Sequence, residues 1–180
     1  PVDVQLSNTS SGAQSFAWDL GNGTSTAVNQ PVATYTEVGT YTIALTATNQ
    51  YGCTDEAVAY FTVYPTPVAS FTATPQPGCE GYPIAFDNTS TNASNYRWRF
   101  GDGSQSTAED PVHSYAQAGI YNVLLIANGA GGCADTLNAF GSIIVHPTPN
   151  AAFSTDTLAS VRNALRFQNL STGAVSYWWD

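Results

Sequence analysis

Polar and aromatic positions alternate strictly along Tyr96-Arg97-Trp98-Arg99-Phe100, so a strand there puts three rings on one face and two arginines on the other. Tyr41-Thr42-Ile43-Ala44-Leu45-Thr46-Ala47 alternates in the same way, apolar on one side and threonine-rich on the other. Extended over the middle of the chain, the pattern predicts strands at 68–73, around Ile84 and Phe86, at 96–100, 111–115, 121–127 and 136–145, with a polar connection at 104–110. No stretch of ten residues carries the helical period. Turn residues punctuate the strands every 8–12 positions, which indicates an all-β sandwich. Asp102-Gly103, after the aromatic strand, is predicted to form a two-residue type I′ hairpin turn, with positive φ at both positions.

The pattern repeats. Trp18, Trp98 and Trp179 stand 80 and 81 residues apart. An Asn-x-Ser step precedes each by ten residues, at Asn8, Asn88 and Asn169. Pro31, Tyr35, Gly39 and Tyr41 return as Pro111, Tyr115, Gly119 and Tyr121, and Gly52-Cys53 returns as Gly132-Cys133. Val63-Tyr64-Pro65-Thr66-Pro67 returns as Val145-His146-Pro147-Thr148-Pro149. These matches set three copies of about 80 residues, at 1–66, 67–148 and 149–180. Only the middle copy is complete: the first lacks its opening strand and the third stops in its tryptophan strand, so the chain is expected to be a segment of a longer array.

Composition narrows the function. The formal net charge is −9, only 9% of residues are charged, and lysine is absent. Four arginines against thirteen acids make no basic stripe for nucleic acid. No run is long and apolar enough to insert into a membrane. Cys-x-x-Cys, nucleophile-elbow, phosphate-loop and paired catalytic carboxylate motifs do not occur, so no catalytic residue is assigned and the chain is read as a non-enzyme.

Trp98-Arg-Phe100-Gly-Asp-Gly103, then Pro111-Val-His-Ser-Tyr115, then Ala118-Gly-Ile-Tyr121-Asn-Val-Leu-Leu125, resembles the PKD domain, the polycystic kidney disease repeat. The first copy matches as Trp18-Asp-Leu-Gly-Asn-Gly23, Pro31 to Tyr35, and Gly39-Thr-Tyr41. Leu20, Asn22 and Arg99 depart from the pattern. The resemblance implies tandem immunoglobulin-like β-sandwiches, with neighbouring PKD-like domains of the same chain as first partners, and filament subunits or surface glycans as further ones. The Gly-Cys pairs are similar to the version found in type IX-secreted bacterial surface proteins and gliding adhesins, which implies an extracellular or cell-surface location. The reading is therefore a structural or adhesive stalk; the second reading is an accessory polysaccharide- or protein-binding region of a secreted hydrolase.

Trp18, Trp98 and Trp179 are assigned to the core rather than to a sugar platform, Gly23 and Gly103 to the turn after the tryptophan strand, and Tyr41 and Tyr121 are structural residues of the repeat. A cofactor is not expected. A Ca²⁺ reading of Asp102 with Asp87 or Asp110 stands beside the turn reading, which already accounts for Asp102. His113 and His146 are replaced by Ala33 and Tyr64, so the repeat needs neither. The Asn-x-Ser steps are read as side-chain-capped turns, although Asn8, Asn22, Asn88, Asn92 and Asn169 all stand in glycosylation sequons. Thr136 and Thr157, in Asp-Thr-Leu triplets, are similar to O-glycosylation acceptors of some surface bacteria. In an immunoglobulin-like sandwich Cys79 and Cys133 lie at opposite ends, so Cys53, Cys79 and Cys133 are expected to bond to cysteines of neighbouring domains, with a Cys79–Cys133 bond as the alternative. The Pro-Thr-Pro joints restrict φ and extend the residues before them, so the copies are expected to form an extended rod with a rise of roughly 35–45 Å each.

Overall fold

The computed structural model describes residues 1–155 and 166–179. The chain divides into two compact units, Pro1–Thr66 with Gly129–Cys133, and Pro67–Asn128 with Ala134–Asp180.

In the first unit the strands are β1 (Val2–Gln5), β2 (Ser15–Asp19), β3 (Ser25–Thr26), β4 (Val32–Tyr35), β5 (Gly39–Thr48) and β6 (Thr54–Val63). β1 and β4 pair antiparallel, and a second sheet runs β3-β2-β5-β6. Period-two alternation turns Trp18, Ile43 and Leu45 inward, where they meet Leu20, Ala33 and Tyr35 in one core.

The second unit holds β7 (Phe71–Thr74), β8 (Gly78–Cys79), β9 (Pro83–Asn88), β10 (Asn95–Arg99), β11 (Gln105–Ser106), β12 (Val112–Ser114), β13 (Gly119–Asn128) and β14 (Ala134–His146). One sheet runs β12-β9-β7 and the other β11-β10-β13-β14-β8. Both supply the core: Ile84 and Phe86 from β9, Trp98 from β10, Val123, Leu125 and Ala127 from β13, and Ile143 and Val145 from β14. This is the β-sandwich that the alternation predicts, in the immunoglobulin-like form that the resemblance implies. β8 is a strand that the pattern did not announce: after β7, Pro75-Gln76-Pro77 takes the chain off its pairing with β9 and adds two residues parallel to the end of β14, Gly78 opposite Val145 and Cys79 opposite His146. Two residues are too few to show a period.

Beyond the second repeat, β15 (Phe153–Thr155) and β16 (Phe167–Asn169) pair antiparallel. Phe153, Phe167 and Trp179 form a ring cluster with centroids 5.8–6.4 Å apart, the counterpart of Phe71, Phe86 and Trp98 at 5.2–6.0 Å. Trp179, assigned to a core, is 51% exposed here.

Candidate functional site

The turn after β10 gathers most of the polar chemistry of the second repeat. Gly101 and Gly103 have φ of +88° and +95°, and Asn92 is the non-glycine residue with positive φ among the described residues. Asp102 is therefore not in the left-handed region, and the expected type I′ turn is corrected. The two positive-φ positions flank the aspartate, and Phe100 N–H bonds to the Ser104 carbonyl. The Asp102 side chain closes the loop itself: its Oδ1 accepts from Ser104 N–H at 2.9 Å and from Ser104 Oγ–H at 2.5 Å. Asn22 does the same for Thr24 in the first repeat. Local side-chain capping thus replaces the mirror-image turn.

His113 reaches this turn from β12. Its Nε2 lies 2.7 Å from Asp102 Oδ2 and 3.2 Å from Ser104 Oγ. The ring stacks on Phe100 at 4.3 Å and meets the edge of Tyr115 at 4.6 Å. Residue-by-residue reading set His113 aside because Ala33 replaces it; the signal was paired change, since Asn22 and Ala33 in the first copy become Asp102 and His113 in the second. The three residue types match a Ser-His-Asp triad, but the geometry does not. A triad uses separate ring nitrogens for nucleophile and carboxylate. Here both partners face Nε2, and the serine hydroxyl donates to the acid. The cluster is a turn lock.

Partial burial pushes the Asp102 carboxyl up, but the Ser104 and His113 hydrogen bonds and the nearby imidazole outweigh it and hold it below its ordinary value of 3.8. A carboxyl depressed in the folded state adds stability above its unfolded pKa and loses it as pH falls through the folded value. The second repeat is expected to lose melting temperature as the pH drops below about 4. Asp102→Asn keeps the Ser104 cap and flattens that dependence, with a small loss at neutral pH. Calorimetry across the acid range checks this, and an unchanged acid slope in the variant would remove Asp102 as its source.

The calcium candidates do not converge. Asp87 lies in β9 opposite Thr72, and Asp110 accepts from Asn88 N–H at 2.8 Å. Among the described residues no group of three or more His, Cys, Asp or Glu is placed to hold a metal ion.

Trp98 is fully buried and donates its indole N–H to the Ala108 carbonyl at 2.9 Å; Trp18 is 7% exposed and its indole nitrogen has no partner. Tyr41 and Tyr121 donate to the carbonyls four residues upstream, Glu37 and Gln117, making the corner contact of immunoglobulin-like domains. Tyr35 and Tyr115 donate to the Leu20 and Phe100 carbonyls, and burial raises the Tyr115 phenol well above its usual range. Gly23 and Gly103 both have positive φ. Asn8, Asn88 and Asn169 each accept from the backbone N–H two residues on, at 2.9–3.0 Å, the side-chain-capped turn of the repeated step. Cys53, Cys79 and Cys133 are free, exposed thiols. The alternative Cys79–Cys133 bond is not formed: Cys133 directly precedes β14, whose far end pairs with Cys79, and a strand of that length spans about 40 Å. Thr136 is exposed on β14. Thr157 lies outside the described residues.

Glu80 is a structural residue that sequence reading missed. Its two carboxylate oxygens accept from Ala118 N–H at 2.8 Å and Thr148 N–H at 3.2 Å, tying the segment after β8 to two distant loops. Asp135 similarly accepts from Ala69 N–H at 2.8 Å. Neither bond has a local spacing to betray it.

Fold, corner tyrosines and repeated turn define a tandem array of immunoglobulin-like modules. Residues 1–63 and 64–143 match the PKD domain, and the chain belongs to that family. It is 38% identical over 76 residues to the pre-pro-metalloprotease PrtV of Vibrio cholerae, covering 40% of this chain and 8% of that protein. Among solved structures, the PKD1 domain of PrtV from Vibrio cholerae is 35% identical with a TM-score of 0.35, covering 41% of this chain and 91% of that one. The PKD1 domain of Vibrio anguillarum Epp is 27% identical with a TM-score of 0.40, covering 47% of this chain and all of that one. The fibronectin(III)-like modules of Clostridium thermocellum CbhA are 15% identical with a TM-score of 0.40, covering 81% and 85%. Among the described residues no helix is long and apolar enough to cross a membrane.

Proposed function

We propose that the chain is a non-catalytic structural and adhesive segment of an extracellular repeat protein, a stalk or filament element on a bacterial surface of the type IX-secreted adhesin kind. One observation carries the reading: apart from the exposed Gly-Cys pairs at 52–53 and 132–133, the residues that the two repeats share serve the sandwich, and the outward positions of the tryptophan strand change. Trp18 and Trp98, Tyr35 and Tyr115, Tyr41 and Tyr121, and Asn8 and Asn88 pack cores, close corners or cap turns. The outward strand positions Ala17 and Asp19 become Arg97 and Arg99. A ligand site repeated for function would repeat outward residues; a building unit repeats inward ones. Neighbouring PKD-like domains are then the first partners, and filament subunits or surface glycans the outer ones. The Pro-Thr-Pro joints favour stiffness between units. Small-angle scattering from the purified chain is expected to fit a stiff extended particle, and a flexible-coil profile would overturn the stalk.

The second reading, an accessory region of a secreted hydrolase, rests on the match to PrtV, whose name describes a metalloprotease. Sedimentation of the chain with insoluble collagen or cellulose distinguishes the two. Saturable binding favours the accessory role; none is expected for a stalk.

A further inference from the structure

The outward faces of the two large sheets are built alike and charged oppositely. In the second repeat Arg97 and Arg99 project from β10 on the side away from Trp98. They are the only Lys or Arg in residues 1–155, and among the described residues the sole ion pair is His113 with Asp102, so neither guanidinium is neutralised. Their cross-strand neighbours on β13 are Ile126 and Leu124, both half-buried. In the first repeat the matching positions on β2 are Ala17 and Asp19, their neighbours on β5 are Thr46 and Ala44, and Glu56 follows on β6. That repeat contains five acids and no Lys, Arg or His. Asp19 gives one oxygen to Gly21 N–H, and Glu56 is exposed on its strand.

We propose that these faces dock between copies of this chain, the Arg97/Arg99 face of one molecule on the Asp19/Glu56 face of another. Two complementarities support a second copy as occupant. The charges oppose, two guanidiniums against two carboxylates. The relief opposes as well: Leu124 and Ile126 stand where the other face has Ala44 and Thr46, so the large side chains of one meet the small ones of the other. Neighbouring strands lie about 4.8 Å apart and alternate residues about 6.7 Å, so the two arginines stand about 7 Å apart and the two acids, two strands and two residues offset, about 12 Å apart, a difference that the long arginine side chains span. Each chain has one face of each kind, so the contact is heterologous. The footprint, four strands by about five residues, is only a few hundred Å² per partner, well under the ~800 Å² of a standard interface, and association is weak. The inference stands whether the chain is a stalk or an accessory region.

Sedimentation velocity of the chain, from micromolar to millimolar concentration at about 0.15 M salt, where the Debye length of ~8 Å damps the repulsion between two net-negative chains, reads the contact. Wild type is expected to associate, and to dissociate as salt rises further. R97E/R99E and D19R/E56R are each expected to associate at least about tenfold more weakly with themselves, and a mixture of the two to recover wild-type association, because each supplies the face the other lost. R97Q/R99Q, which adds no repulsion, is expected to fall between. All four side chains are outside the cores, and unchanged circular dichroism and melting confirm folding. A monomeric wild type, variants that associate like wild type, or a mixture that stays monomeric overturns the proposal. So does arginine-dependent binding of alginate without self-association, which would make a polyanion the occupant.

Discussion

Trp98→Ala is expected to cost the second repeat about 3–5 kcal/mol, the range for truncating a fully buried large aromatic. Trp98 is 0% exposed and touches three other aromatic rings, with Phe71 at 5.2 Å, Phe86 at 5.8 Å and Phe100 at 6.4 Å between centroids. Small domains hold only about 5–15 kcal/mol in all, so this repeat should be unfolded or nearly so while the first keeps its own transition. Denaturant unfolding followed by far-ultraviolet circular dichroism checks this, and a loss under about 1 kcal/mol would return Trp98 to the role of a surface platform. The phenylalanine substitutions separate packing from hydrogen bonding. Trp98→Phe leaves the Ala108 carbonyl without its indole donor, whereas Trp18→Phe removes a buried donor that has no partner. Trp98→Phe should therefore be the more damaging by about 1 kcal/mol or more.

Gly101→Ala is the second large effect, and it exceeds Gly103→Ala. Both positions have positive φ, which disfavours any L side chain by roughly 1–2 kcal/mol. They differ in space. A Cβ on Gly103 meets nothing within 4 Å, whereas a Cβ on Gly101 would sit 2.6 Å from the Asn122 carbonyl oxygen on β13. That neighbour is β13 backbone at the register break between Tyr121 and Val123, where the Asn122 side chain accepts from Gly141 N–H, so the turn or this bulge must move and overpacking adds about 1–3 kcal/mol. The expected total is about 2–5 kcal/mol for Gly101→Ala against about 1–2 for Gly103→Ala. The first repeat should behave alike, since a Cβ on Gly21 would overlap the Thr42 carbonyl and one on Gly23 meets nothing. Equal costs at Gly101 and Gly103 would show that φ alone governs this turn.

Sequence alone determined the all-β class, the 80-residue spacing of the repeat, inward Trp18 and Trp98 and the capped Asn-x-Ser turns. Each rests on a period or a fixed local spacing: two residues for a strand face, two for an Asx cap, 80 for the repeat. Tertiary structure decided the rest. The Asp102 cap on Ser104 set the turn locally, between two positive-φ glycines, but the close approach of Gly101 to Asn122 on β13 exists only in the fold. His113 acquired a partner because β12 delivers it across the sandwich to Asp102, eleven residues upstream, and Glu80 found Thr148 sixty-eight residues away. Arg97 and Arg99 were legible as outward residues, but the face they share with Leu124 and Ile126, and the acidic one at the matching place in the first repeat, exist only once β10, β13 and β14 lie side by side, as do β2, β5 and β6. Alternation says which side of a strand a residue takes; strand order and register decide what it meets there, and those follow from packing over the whole sandwich.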